Sequence, residues 1–168
     1  MNMKYVAAVT LASSFFFALA PHAASAQDSG IEIGKRGPAA AVTTLAGKPA
    51  DLASYVGKGP VLMEFWATWC PNCRELEPAL LAARKKYSGM VRFVGVAVSV
   101  NQSPAKVKAY VAKHGIQHDI LFDTNGKAAE AYDVPATSYV VVLNSKGNVV
   151  YTGLGGRQDL DAAIRKAF

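Results

Sequence analysis

The chain has 168 residues, 18 Lys and Arg against 12 Asp and Glu, and a formal net charge of +6. That length suits one domain able to bury about two-thirds of the surface its unfolded chain exposes. The basic excess is scattered, and its longest run is Arg84-Lys85-Lys86. A nucleic-acid surface would cluster such residues with exposed aromatics, so that class is excluded.

The first 26 residues read as a secretory signal peptide and not as part of the fold. Lys4 is a positive n-region, Val6 to Ala20 is apolar, and Ala24-Ser25-Ala26 is a small-x-small site with cleavage expected after Ala26. The apolar run of about 15 residues is short of the ~20 that a membrane-spanning helix needs, which argues against an uncleaved anchor. Export places the remainder in the periplasm, where disulfides persist. Residues 27–37 are polar and Gly-rich and are expected to form a flexible leader. Residues 38–168 are expected to form the domain.

In that domain Val42 to Leu45, the turn Ala46-Gly47-Lys48 and Pro49 to Leu52 predict an N-terminal β-hairpin. Gly57-Lys58-Gly59-Pro60 breaks the pattern. Val61 to Ala67 is apolar with one acid, Glu64, as expected of a strand buried on both faces. Pro71 can open a helix, where its missing N–H costs nothing. Leu76, Leu80, Leu81 and Tyr87 then recur at helical spacing, with Pro78 inside the helix, where it should kink it. Val91 to Val98 is a second buried strand, Ser103-Pro104 caps a helix running to His114-Gly115, and Ile120 to Phe122 is a short strand. Asn125-Gly126 starts a short helix, Tyr139 to Leu143 is a third strong strand, and Asn144 to Gly147 turns it into Val149 to Thr152. Gln158 or Asp159 opens the last helix. The order predicts an α/β fold, a central mixed β-sheet flanked by helices.

The only two cysteines stand in Trp69-Cys70-Pro71-Asn72-Cys73, straight after the first buried strand. A dithiol with two intervening residues at a strand-to-helix junction is what reversible thiol–disulfide exchange requires. As a structural staple it would close a very short loop and remove little unfolded-state entropy. Cys70 is expected at the helix N-terminus, where unpaired N–H groups and the helix dipole favour a thiolate. Cys73 is expected to be buried one turn on, with a higher pKa and hence a need for a base. Glu64, in an otherwise apolar strand, is the candidate, with a water able to carry the proton between them. Trp69 adjoins the nucleophile and is expected to line a docking surface, whereas Trp66 reads as core. A copper-binding metallochaperone using Cys70 and Cys73 is the competing chemistry. His114 and His118 have i, i+4 spacing, but Gly115 should end the helix between them, so they read as solvated loop histidines. No metal and no cofactor is called for by the dithiol reading.

The segment VLMEFWATWCPNCRELEPAL resembles the active site of thioredoxin-fold proteins, most closely the exported TlpA/ResA-like thiol–disulfide oxidoreductases. VTTLAGKPADLASYVGKGP and YVVVLNSKGNVVYTGLGG are similar to the hairpins at the two ends of that fold. The resemblance implies an exposed nucleophile at Cys70, a resolving thiol at Cys73, a buried acid at Glu64 and a helix-kinking proline at Pro78. It also implies protein disulfide substrates, for example in cytochrome c maturation or general periplasmic thiol reduction. A membrane thiol-electron conduit is the implied reductant, and a dithiol oxidase is the alternative direction. The domain is expected to be a monomer.

Two positions depart from the family pattern. Leu76 stands where many relatives have Glu, with Glu75 and Glu77 on either side. Ser138 falls where these folds place a cis-proline facing the disulfide, unless the loop slips so that Pro135 serves. A cis bond before serine costs ~2.5–4 kcal/mol, so a trans bond is expected. Pro71, Thr137 and Ser138 join Trp69 as candidate substrate-binding residues, the latter two by offering backbone groups to a bound segment.

Overall fold

The computed structural model describes residues 30–168. The signal-peptide reading and its cleavage site lie outside these residues. Seven strands form one sheet in the order β2-β1-β5-β4-β3-β6-β7. They are β1 (Ala41–Thr44), β2 (Pro49–Asp51), β3 (Val61–Trp66), β4 (Arg92–Val98), β5 (Asp119–Asp123), β6 (Tyr139–Leu143) and β7 (Val149–Leu154). The helices are α1 (Pro71–Lys86), α2 (Pro104–His114), α3 (Lys127–Ala131) and α4 (Leu160–Arg165). β3 runs parallel to β4 and antiparallel to β6, so the sheet is mixed as expected. β1 and β2 form the N-terminal hairpin, and β1 also joins the sheet against β5.

The alternation along β3 sets the layers, because successive side chains point to opposite faces. Val61, Met63 and Phe65 enter a core with Val94, Val96, Tyr132, Val141 and Leu143, closed by α3. Leu62 points the other way, against Leu76 and Leu80 of α1 and Leu160 and Ile164 of α4. Trp66 lies on that second face, in a smaller cluster with Cys70, Cys73, Ala97, Val107 and Phe122. Burying one such large apolar side chain is worth about 1.5–3 kcal/mol. The strand that delivers the cysteines is thus anchored from both sides.

Helix ends follow the local chemistry. Ser103 caps α2 by accepting from the Lys106 N–H at 3.3 Å, and Gly115 ends that helix at φ 61°. Asp159 caps α4 through the Ala162 N–H at 2.9 Å. Asp123, fully buried, accepts from the Ala128 and Ala129 N–H groups and holds the start of α3. Helix α1 continues through Pro78 and ends in Arg84, Lys85 and Lys86, which favour its negative C-terminal pole.

The described part of the leader is not loose. Ile31 is buried in the first core, and its N–H donates to the Tyr132 carbonyl at 3.1 Å. Gly34 and Gly37 donate to Val149 and Gly147, and Val149 donates back to Lys35. Arg36 bridges to Asn148 and also binds the Lys146 carbonyl at 2.6 Å. Residues 30–37 are therefore a strap on the β6–β7 hairpin. Short-range composition misses it because its partners lie more than a hundred positions downstream.

Candidate active site

Strand β3 ends at Trp66, and after three intervening residues the chain reaches Cys70 and turns into α1. Cys70 is the N-cap of that helix, with extended backbone, and Pro71 takes the first helical position. The Cys73 N–H donates to Cys70 Sγ at 3.0 Å. An N–H left over at a helix start therefore points at Cys70 Sγ, where it favours negative charge. Cys70 and Cys73 are joined as a disulfide, with their Cα atoms 5.3 Å apart.

The expected contrast in exposure between the two sulfurs is not found in this oxidised state. Cys70 is 1% exposed and Cys73 8%. Cys70 is tucked among Ala67, Ala97 and Val98 because the turn after β3 folds back onto the sheet, with its N–H donating to the Ala67 carbonyl at 3.1 Å. What separates the two cysteines is backbone position. One caps the helix and the other lies within its first turn.

Gln102 holds the other side of the turn. Its Oε1 accepts from the Thr68 N–H at 2.9 Å, and its Nε2 donates to the Val98 carbonyl at 2.5 Å. Trp69 Nε1 donates to the Val100 carbonyl at 2.8 Å, leaving the indole 41% exposed beside the similarly exposed Val100. Trp69 is thus a rigid apolar rim, and Pro71 is exposed next to it. Sequence reasoning missed Gln102, since nothing in its type or spacing marks it as a clamp.

Ser138 is fully buried, and its backbone takes the left-handed region at φ 65°. No cis peptide bond occurs among the described residues. The Ser138 N–H donates to the Phe65 carbonyl at 2.8 Å, and its own carbonyl accepts from the Gly155 N–H at 3.0 Å and from Gln158 Nε2 at 3.1 Å. Its hydroxyl donates to the Gly155 carbonyl at 3.1 Å. The expectation that Ser138 offers backbone groups to a client is therefore corrected. Both groups are already used to fasten the loop to β3 and to the end of β7. Thr137, half-buried beside it, and exposed Pro135 remain on the outer side of this loop.

Glu64 lies on a central strand, opposite Gly95 of β4 and Val140 of β6, and is 6% exposed. Burial, with a smaller contribution from the Glu77 carboxylate, pushes its pKa up to about 8. It lines a narrow cleft of about 40 Å³ together with Cys73, Trp66, Glu77, Tyr110 and His118. His118 is not a solvated loop histidine. It lines this cleft, and burial, helped by Arg84, lowers its pKa to about 4. His114 instead stacks on Tyr110 at 4.0 Å, with its Nδ1 3.9 Å from the Glu77 carboxylate. Leu76 is fully buried against the sheet, and Glu75 turns outward to pair with Arg157 at 2.7 Å. Glu77 is therefore the acid of that turn that reaches the cleft.

A dithiol at a helix N-terminus, backed by a desolvated carboxyl, can exchange disulfides and move one proton. The redoxin family pattern matches residues 32–165. The thioredoxin-like protein YneN of Bacillus subtilis is 30% identical over 143 residues, covering 83% of each chain. The thiol–disulfide oxidoreductase ResA of Bacillus thuringiensis is 27% identical over 138 residues, covering 81% of this chain and 79% of its own. A solved thiol:disulfide interchange protein of the thioredoxin family, from Chlorobium tepidum, superposes with a TM-score of 0.65 at 27% identity, covering 81% of this chain and 95% of its own. The chain belongs to the redoxin family and is a thioredoxin-fold thiol–disulfide oxidoreductase.

Proposed function

We propose that this protein reduces protein disulfides outside the cytoplasm by cycling Cys70 and Cys73 between dithiol and disulfide. The observation that carries the reading is the Cys73 N–H aimed at Cys70 Sγ at the start of α1. It favours the thiolate at Cys70, and the thiolate is the attacking species. Cys70 attacks a client disulfide, forming a mixed disulfide and releasing one client sulfur, which takes a proton from solvent. Cys73 then gives its proton to Glu64 and attacks Cys70 Sγ. The second client sulfur leaves, and the Cys70–Cys73 disulfide remains.

Glu64 suits both directions of the cycle. Its pKa of about 8 lets the carboxyl act as acid or base near neutral pH. In the oxidised state it holds the proton at neutral pH. It can return that proton to Cys73 when a reductant dithiol opens the disulfide. We assign this reductant to a membrane thiol-electron conduit and the clients to periplasmic proteins, such as apocytochromes. The amino-terminal 26 residues support export, and the relatives named for thiol–disulfide oxidoreduction support the chemistry. The exposed Trp69 and Pro71, with the half-buried Thr137, supply the client-facing rim, and the protein acts as a monomer.

Direction is tested by the reduction potential. A redox titration against glutathione should give a value well below about −180 mV, and a value above it would make the protein an oxidase.

A further inference from the structure

Glu64 Oε1, Trp66 Nε1 and His118 Nδ1 are buried and have no hydrogen-bond partner among the described residues. All three residues line the cleft that contains Cys73. Buried polar groups are almost always satisfied, so three in one cleft point to a shared occupant able both to donate and to accept. The cleft's 40 Å³ exceeds the ~10–15 Å³ that one water requires.

Gly95 lies beneath the side chains of Trp66 and His118. A Cβ there would stand 2.9 Å from Trp66 Nε1 and 3.3 Å from His118 Nε2, as well as 2.6 Å from Ile120 Cδ1. Gly95 is also the strand partner of Glu64. The missing side chain thus lets the indole and the imidazole close over the strand position paired with Glu64. We propose that His118 and Trp66 hold a water in this cleft that links Glu64 to Cys73, making His118 a positioning residue for proton transfer to and from the resolving sulfur. This inference rests on the dithiol cycle proposed above.

The division of labour follows from the groups. Trp66 can only donate. Neutral imidazole donates from one nitrogen and accepts at the other, so it can orient a water in either phase of the cycle. With its pKa near 4, His118 is uncharged from pH 6 to 9 and acts through hydrogen bonding and not through charge. The other titratable or charged groups facing the cleft are Glu77 and Arg84 of α1 and Tyr110 of α2, with Asp119 of β5 adjoining His118. None of these is changed by substituting His118. Losing a hydrogen bond to the Glu64 carboxylate would disfavour its charged form and move its titration upward.

The test is a quenched-flow single turnover of the reduced full-length protein with a fluorescein-labelled disulfide peptide, from pH 6 to 9. The first phase reports adduct formation at Cys70, and the second reports release by Cys73. In His118→Leu the first phase should be unchanged. The second should slow about tenfold at pH 7, with its midpoint moved up by about one pH unit, and His118→Gln should regain most of the loss. A wild-type second phase in His118→Leu, or equal losses in His118→Leu and His118→Gln, would overturn the proposal. Should the leucine variant not fold, an atomic-resolution crystal structure of the wild type decides. A water bonded to both Glu64 Oε1 and His118 Nδ1 supports the cradle, and a dry cleft overturns it. If the wild type forms no adduct at all, the dithiol cycle itself fails and takes this inference with it, a result unlike any variant-specific loss.

Discussion

In the proposed cycle Cys70, Cys73 and Glu64 divide one reaction between a helix terminus and a strand. Burial works against the Glu64 carboxylate, so this residue has a stability signature of its own. Its folded pKa of about 8 lies above its ordinary value of 4.5. The folded state therefore binds more protons than the unfolded state between those values, and stability falls as pH rises through that window. Glu64→Gln should match the wild type near pH 4 and become more stable as pH rises, by about 3 kcal/mol at pH 7, levelling off above pH 8. Urea denaturation at several pH values checks this, and a constant difference across pH would contradict it. Ser138 gives a second residue-scale prediction. A non-glycine residue at φ 65° carries strain of about 1–3 kcal/mol, held here by hydrogen bonds on both sides of the peptide. Ser138→Gly, which trades that strain for one lost hydroxyl bond, should stay within about 1 kcal/mol of the wild type. Ser138→Val should cost about 3 kcal/mol, because a β-branched side chain resists a positive φ. Denaturation midpoints of the two variants measure the contrast.

At the scale of elements, the strap of residues 30–37 is the part of the fold that local sequence conceals. The alternation of Ile31 and Ile33 is too short to signal a strand, and its hydrogen bonds depend on Gly147 and Val149 being brought alongside. Ile31→Ala should destabilise the protein by about 2 kcal/mol, near the low end for core truncations because the site is peripheral. A change below about 0.5 kcal/mol in urea denaturation would mean that the strap is not integral. The strands β3, β4 and β6 were legible because each is a continuous apolar run, and the hairpin into β7 was legible from Asn144 to Gly147. The start of α1 was legible from Pro71, and the ends of α2 from Ser103 and Gly115. Ser138's closed hydrogen-bond circuit, the Gln102 clamp and the concealment of Cys70 were not. Each depends on segments that meet only after the sheet has formed. His118 was misread for the same reason. Gly115 does end the helix, but the following residues return His118 to the Cys73 side of the sheet, where Gly95 leaves room for it.

At the scale of the molecule, a mixed sheet anchored on both faces presents a small amount of chemistry at one end of its central strand. The two apolar layers fix β3, β3 fixes the turn, and the turn fixes which sulfur caps α1. No helix among the described residues is long and apolar enough to cross a membrane. The assignment of nucleophile and resolving thiol is the claim on which the functional reading stands, and trapping tests it most directly. Reduced Cys73→Ser protein, mixed with a disulfide-bonded client and analysed by intact mass, should accumulate a one-to-one adduct through Cys70, while Cys70→Ser forms none and the wild type turns over. Full turnover by Cys73→Ser, or an adduct formed equally by Cys70→Ser, would contradict the account.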